Sequence, residues 1–331
     1  MSLDPGTCCH FLDELAPCQT FGKVRKVVGL ILEGKGIKAP LGTVCHLVPD
    51  SEQGHDIPAE VVGFRDDSIL FMPYGEVRGI KPGSLIRNSN LPPHFPVGDE
   101  LLGRTVDAFG EALDEGGAIA PEDYYPLYGE PPKPLDRPRI TEALDVGVRA
   151  VNGLLTLGKG QRVGIMAGSG VGKSTLMGMM ARYTSADVNV IALVGERGRE
   201  VLEFIEKDLG PEGLDRSTLV VATSDQSPLI RMRAAYAATA LAEYYRDQGR
   251  DVLLMMDSVT RFAMAAREVG LAVGEPPTSR GYTPSVFAQL PKLLERAGRN
   301  ESGTITAIYT VLVDGDDFNE PVADAVRSIL D

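Results

Sequence analysis

The residues of this sequence best suited to chemistry are a glycine loop ending in a lysine and a hydroxyl, and two acids that each close an apolar run. The loop reads AGSGVGKST over 167–175, a P-loop of the form Ala167-x-x-x-x-Gly172-Lys173-Ser174. It follows the apolar run 163–166 and precedes Leu176, Met177, Met179, Met180 and Ala181, giving the strand, loop and helix that the motif needs. Gly168, Gly170 and Gly172 lack side chains, so backbone N–H groups from Gly168, Ser169, Gly170, Val171 and Gly172 can wrap phosphate oxygens at the positive end of a helix. Lys173 then offers a point charge to the outer phosphates, Ser174 a hydroxyl to magnesium, and Thr175 a neighbouring hydroxyl. Ala167 stands where the strictest pattern has glycine, and its methyl is tolerated where φ is negative. A flexible loop before an ordinary buried helix would not need the lysine, the hydroxyl and this context together.

The first acid is Asp257, which ends DVLLMMD over 251–257. A carboxylate at the C-terminal edge of a strand neighbouring the P-loop can hold magnesium through its water shell. An acid that merely caps the next helix is the simpler reading of the same pattern. Glu196, the second acid, ends DVNVIALVGE, and a doubly wound sheet puts it on the edge where ligands lie. There it can accept a hydrogen bond from water and align it on a γ-phosphate. A surface Glu196/Arg197 ion pair is the competing reading, and spacing alone leaves the two level.

These groups need a frame. From about residue 141 apolar strands alternate with helices: QRVGIMAG, DVNVIALVGE, STLVVATS and DVLLMMDS each lead into a helical stretch. Continuous apolarity in the strands fits a parallel sheet covered on both faces. Val201, Ile205 and Leu209, at i, i+4 and i+8, predict one helical stripe. Residues 22–90 instead read as short β-branched or alternating runs closed by turn residues, which predicts a small β-barrel, with a sandwich as the alternative. Between them lies an acidic, proline-rich stretch with six prolines over 121–138, read as an extended connector. The expected division is a tail over 1–20, a barrel over 21–95, a connector over 96–145 packed on the nucleotide domain, and an α/β nucleotide domain over 146–331.

The net charge is -13, and residues 96–145 hold 12 acids against 4 bases. An acidic chain without a basic cluster argues against nucleic acid as a partner. Nothing approaches the ~18 apolar residues of a membrane span, and the opening MSLDPGTCCHFLDELAPCQT lacks the basic region and apolar core of a secretory signal, so the expectation is cytoplasmic. Cys8, Cys9, His10 and Cys18 fit no common zinc spacing, and the four cysteines, Cys8, Cys9, Cys18 and Cys45, are expected to form no disulfide framework. Phe11, Leu12 and Leu15 could make one amphipathic turn, with fraying the simpler expectation.

The P-loop, VIALVGERGREVLEFIEKDLG, VVATSDQSPLIRMRAAYAATALAEYYRDQG, LLMMDSVTRFAMAAREVGLAVGEPPTSRGYTPSVFAQLPKLLERAG and GTITAIYTVLVDGDDFNEPVADAVRSILD together resemble the ATPases of the bacterial flagellar export apparatus. That family is similar to rotary ATP synthase catalytic subunits and to injectisome ATPases. The resemblance spans nearly everything after residue 20. It implies a barrel followed by a RecA-like domain, a ring of six subunits, ATP as substrate and Mg2+ as cofactor. Position by position, it implies phosphate and magnesium roles for Lys173 and Ser174, a magnesium role for Asp257, catalysis by Glu196, and places for Arg197 and Arg261 in the same site. Non-catalytic synthase subunits carry glutamine where Glu196 stands, so the resemblance implies hydrolysis. It also implies a peripheral stalk regulator, a central stalk protein, an export gate and export chaperone-substrate complexes as partners, with peripheral attachment to the inner face of the cytoplasmic membrane. Loop and helix details favour the flagellar over the injectisome branch.

In the family a further strand, an arginine finger, an aromatic adenine contact and a helical domain follow the position at which this sequence ends. These 331 residues alone are therefore expected to bind nucleotide weakly and turn over poorly. Two other classes compete: a hexameric nucleic-acid motor, disfavoured by the acidity and the absence of tryptophan, and a nucleotide-holding subunit without turnover.

Overall fold

The computed structural model describes residues 20–50, 55–89, 93–168, 170–313, 315 and 317–331. Cys8, Cys9, His10, Cys18, Phe11, Leu12 and Leu15 lie outside them, as does Ser169. The chain divides between Pro92 and Pro93 into two compact units.

In the first unit six strands close a barrel in the order β1-β2-β5-β4-β3-β6: β1 (Phe21–Val28), β2 (Ile31–Lys35), β3 (Val44–Val48), β4 (Ile57–Arg65), β5 (Ser68–Pro73) and β6 (Leu85–Asn88). The pairing of β1 with β6 closes the sheet on itself, which excludes the sandwich alternative. Alternate residues such as Cys45 and Leu47 on β3 and Leu32 on β2 point inward and make the core with Phe71 and Ile86. Burial pushes the Cys45 thiol up to about 11, so it is a packing group rather than a reactive one.

The second unit adds β7 (His94–Val97), β8 (Thr105–Val106), β9 (Asp123–Pro126), β10 (Arg162–Ala167), β11 (Val188–Glu196), β12 (Ser217–Thr223), β13 (Asp251–Asp257), β14 (Gly298–Arg299) and β15 (Thr304–Leu312). Its sheet runs β10-β15-β13-β11-β12-β8 with every neighbour along that path parallel, and β14 pairs antiparallel with β15. Period-two alternation feeds two cores. Val190, Ala192 and Val194 pack on one face, Ile191 and Leu193 on the other, and β13 divides in the same way. Both faces are dry, which is why these strands read as unbroken apolar runs.

The stretch over 93–146 does more than connect. β8 extends the sheet beyond β12, pairing Thr105 with Leu219 and Val106 with Val220. Its neighbours cover the outer face of the helix Pro228–Asp247, where Tyr245 donates to the Gly98 carbonyl, Tyr244 to Glu122 and Tyr125 to Asp247. That helix is packed on both sides, which accounts for the six buried alanines among Ala234–Ala242 in place of an apolar stripe.

The stripe expected at Val201, Ile205 and Leu209 takes another form. After the helix Gly198–Glu203 the chain widens into a π turn over Phe204–Leu209 and resumes as a helix over Gly210–Leu214. Phe204 and Leu209, five residues apart as a π turn requires, are the fully inward pair, while Val201 and Ile205 are half-buried beside them.

Arg296, 1% exposed, donates to both oxygens of Glu243 and to the Leu127 carbonyl. Arg296→Ala strands a buried carboxylate and is expected to cost about 3–5 kcal/mol in a urea unfolding titration.

Candidate functional site

The parallel sheet brings the C-terminal ends of β10, β13 and β11 to one edge. β10 delivers the P-loop there. Gly170 and Gly172 adopt φ of 77° and 92°, a left-handed conformation that lets the loop turn into the helix Lys173–Tyr183 without a Cβ clash. Ala167 is the last residue of β10 and does not adopt positive φ, so its methyl costs nothing.

β13 delivers Asp257. The strand beside β10 is β15, so Asp257 sits one strand further from the loop than a directly neighbouring strand would put it. The intervening strand is used: Thr310 on β15 donates its hydroxyl to Asp257 Oδ1 at 2.7 Å. Lys173 Nζ reaches over β15 and meets the same oxygen at 2.8 Å, with the two side chains 11% and 5% exposed. The helix-capping reading of Asp257 fails, because Ser258 caps the helix Val259–Val273 by accepting from Arg261 N–H.

β11 delivers Glu196. The register Leu193↔Asp257 leaves Glu196 three residues beyond the level of Asp257, and a bulge at Gly195 re-aims it. Gly195 has φ 73°, and a Cβ there would press within 3.0 Å of Arg261 Cβ. Glycine therefore both makes the bulge and admits the Arg261 side chain.

Gly168, Gly170, Gly172, Lys173, Ser174, Thr175, Glu196, Arg197, Asp257 and Arg261 all line one cleft of about 860 Å³. Val171 does not line it; its side chain turns outward, 67% exposed. Arg197 stands at the rim, 71% exposed, and pairs with Glu200 at 3.0 Å rather than with Glu196, which removes the surface-pair reading. Arg261 lies deeper, with its buried Nε lacking a hydrogen-bond partner among the described residues. An orphaned cationic N–H on a residue that lines this cleft is suited to an anion.

Burial pushes the Glu196 carboxyl up to about 7, helped by a hydrogen bond with Glu200 and by the Asp257 charge, against the opposing pull of Lys173 and Arg261. Glu200 moves the other way, below the ordinary carboxylate value, because of that hydrogen bond and Arg197 beside it. Protonated Glu196 thus donates to the Glu200 carboxylate, and the two titrate as a pair.

The sequence reading passed over Glu200 and Thr310. Glu200 had a signal, since the second acid of GERGRE falls one helical turn after the first. Thr310 had only its polarity within an otherwise apolar strand. As for a metal, the described residues contain no group of three or more His, Cys, Asp or Glu that could hold one. A single carboxylate and a hydroxyl are hard oxygen donors that suit magnesium completed by water and phosphate oxygens, rather than an all-protein cage.

The model of the ATP synthase alpha/beta family's nucleotide-binding domain matches residues 147–331, and that of its beta-barrel domain residues 24–90. The chain belongs to the ATP synthase alpha/beta family, and it is a P-loop ATPase of that family. The flagellum-specific ATP synthase of Bacillus subtilis is 61% identical over 94% of this chain and 71% of its own length. A type 3 secretion system ATPase of Xanthomonas euvesicatoria is 54% identical over 97% and 72%. Among solved structures, the assembled ATPase EscN of the enteropathogenic E. coli type III secretion system matches with a TM-score of 0.85 and 48% identity, over 94% of this chain and 74% of that one. EscN also matches equally well in complex with its central stalk EscO.

Proposed function

We propose that this ATPase hydrolyses ATP with Glu196 as the water-activating base and so energises flagellar protein export as one subunit of a six-membered ring. The observation that carries the reading is the meeting of the Lys173–Asp257 pair with Glu196 at one sheet edge, in a cleft that opens on the P-loop.

The backbone N–H groups of the loop and the Lys173 ammonium grip the phosphates, with Lys173 exchanging its Asp257 partner for phosphate oxygens. Ser174 and Asp257 would hold magnesium, which neutralises charge on the β- and γ-phosphate oxygens when bound. Arg261 turns its unpartnered N–H toward the anion, and Arg197 stands at the rim. Glu196, once free of its proton and of Glu200, accepts a hydrogen bond from the attacking water and takes its proton as the bond to the γ-phosphorus forms and the bond from that phosphorus to the β-phosphate oxygen breaks, releasing ADP and phosphate.

The rate constant kcat/KM is expected to climb as pH rises through about 7, where Glu196 surrenders its proton, and to lose that limb in Glu196→Gln. Stability should move oppositely. A carboxyl whose folded value lies above its ordinary 4.5 stabilises the fold fully below 4.5 and loses that contribution as pH rises through about 7. A pH–rate profile beside thermal unfolding over the same range checks both signs.

The partners in this reading are a central stalk protein, a peripheral stalk regulator, the export gate and chaperone-substrate complexes, and the acidity of the chain argues against nucleic acid. Location is cytoplasmic, at the inner face of the membrane; none of the described helices is long and apolar enough to cross one. Support comes from the 61% identity to a flagellum-specific relative and from EscN solved with its stalk. The 54% identity to a type 3 secretion ATPase keeps the injectisome as the second reading. Expression of the gene in two hosts, one lacking its flagellar export ATPase and one lacking its injectisome ATPase, discriminates: restored swarming in the first supports the flagellar assignment, and restored secretion in the second alone supports the other.

A further inference from the structure

The barrel is not bonded along the whole length of its first strand. β1 pairs with β6 only over Phe21–Lys23, and Val24 is tied to the turn beside it, donating to the Ser84 carbonyl and accepting from Gly83 N–H. On its other side β1 stays paired with β2 as far as Val28↔Ile31, beyond the stretch over which β2 meets β5, Leu32–Gly34. Lys26 and Val27 lie opposite Glu33 and Leu32, level with the β2–β5 ladder, and only the Val28↔Ile31 pair extends beyond it. From Arg25 to Val28 the side of β1 turned away from β2 has no strand partner among the described residues. The β1–β2 ladder slips at Arg25, a bulge that twists the strand there, and the regular edge beyond it, Lys26–Val28, is a template for another strand.

The side chains on it are unusual for an acidic chain. Arg25, Lys26, Val27 and Val28 are all exposed, as are Phe21, Lys23 and Leu30. No ion pair among the described residues involves Lys23, Arg25 or Lys26. Glu33, which faces Lys26 across the hairpin, is instead paired with Arg65. Cations on an edge can serve merely to repel other strands. That role does not call for Val27, Val28 and Leu30 to stand exposed beside them.

We propose that the free edge of β1 at Lys26–Val28 takes an extended acidic segment of a partner protein as an added strand. The segment's backbone bonds to the open N–H and C=O groups, its acids meet Lys23, Arg25 and Lys26, and its apolar side chains lie on Val27, Val28 and Leu30. Edge-to-edge pairing with a second copy is disfavoured, because it sets Arg25 and Lys26 against the copy's own cations. An anionic membrane would meet the charges and leave the backbone groups unused.

The test uses the whole chain and a short fluorescein-labelled peptide alternating glutamate with valine. Its partners are a lysine-for-glutamate version, a version N-methylated along one backbone edge, and phosphatidylglycerol vesicles. The expected result is binding of the acidic peptide alone, weakened by salt, with slowed amide hydrogen exchange at Lys26–Val28. The double variant Arg25→Glu/Lys26→Glu should weaken it by roughly tenfold or more, with exchange of the Phe71 amide in the barrel core unchanged to verify folding. Three results would each overturn the proposal: equal binding of the N-methylated peptide, binding to vesicles without binding to peptide, or protection of Lys26–Val28 that grows with protein concentration alone.

Discussion

Glu196→Gln is expected to lower kcat for ATP hydrolysis by about 10²- to 10⁴-fold, the range of a positioned general base, while nucleotide affinity changes by no more than a few-fold. Glutamine keeps the size and the hydrogen-bond acceptor of the side chain and cannot take a proton from water. The contact that Glu196 makes in the structure is with Glu200, not with the Lys173–Asp257 pair that would receive the phosphates and magnesium, so its loss should spare binding. A coupled phosphate-release assay beside fluorescent-nucleotide binding separates the two quantities. Unchanged turnover would mean that another group activates the water, and no turnover in either protein would return it to the class of nucleotide-holding subunits.

Lys173→Ala strikes the other half of the site and should act twice. Loss of a preorganised cation on the transferring phosphoryl group is expected to lower kcat/KM by about 10²- to 10³-fold. Asp257, 5% exposed, is at the same time left with the Thr310 hydroxyl as its one hydrogen-bond partner among the described residues, so the fold should lose up to about 3 kcal/mol. The double variant Lys173→Ala/Asp257→Asn separates these effects. Asparagine removes the stranded charge and still accepts from Thr310, so most of the stability returns while activity stays low. Recovery of activity along with stability would mean that Lys173 is a structural partner of Asp257 and nothing more.

The P-loop was legible in the sequence because backbone geometry demands particular residues: only glycine sits easily at the φ of Gly170 and Gly172, and the lysine must follow at once. The parallel sheet was legible because strands dry on both faces cannot hide their apolarity. What escaped is what depends on strands meeting. No local pattern says that β15 runs between β10 and β13, so the distance from loop to Asp257, and the part of Thr310 in holding that acid, emerge only with the sheet order. The pairing of Thr105–Val106 with β12 was hidden for a related reason, since two residues in a proline-rich stretch carry no alternation to read. The barrel was expected from its short alternating strands, while the contact that separates it from a sandwich, β1 meeting β6, appears only in the structure. Glu200 lay within reach: an acid one turn after another, at the start of a helix on a ligand-bearing edge, can share a proton with it.

The measurement that bears most directly on the central claim is a crystal structure of the protein with ADP, magnesium and aluminium fluoride, which mimics the phosphoryl group in flight. The account predicts the Glu196 carboxylate turned off Glu200 and within about 2.6–3.2 Å of a water in line with the aluminium, with Lys173 on the opposite flank. A carboxylate still resting on Glu200, with the in-line water held by some other group, would contradict it.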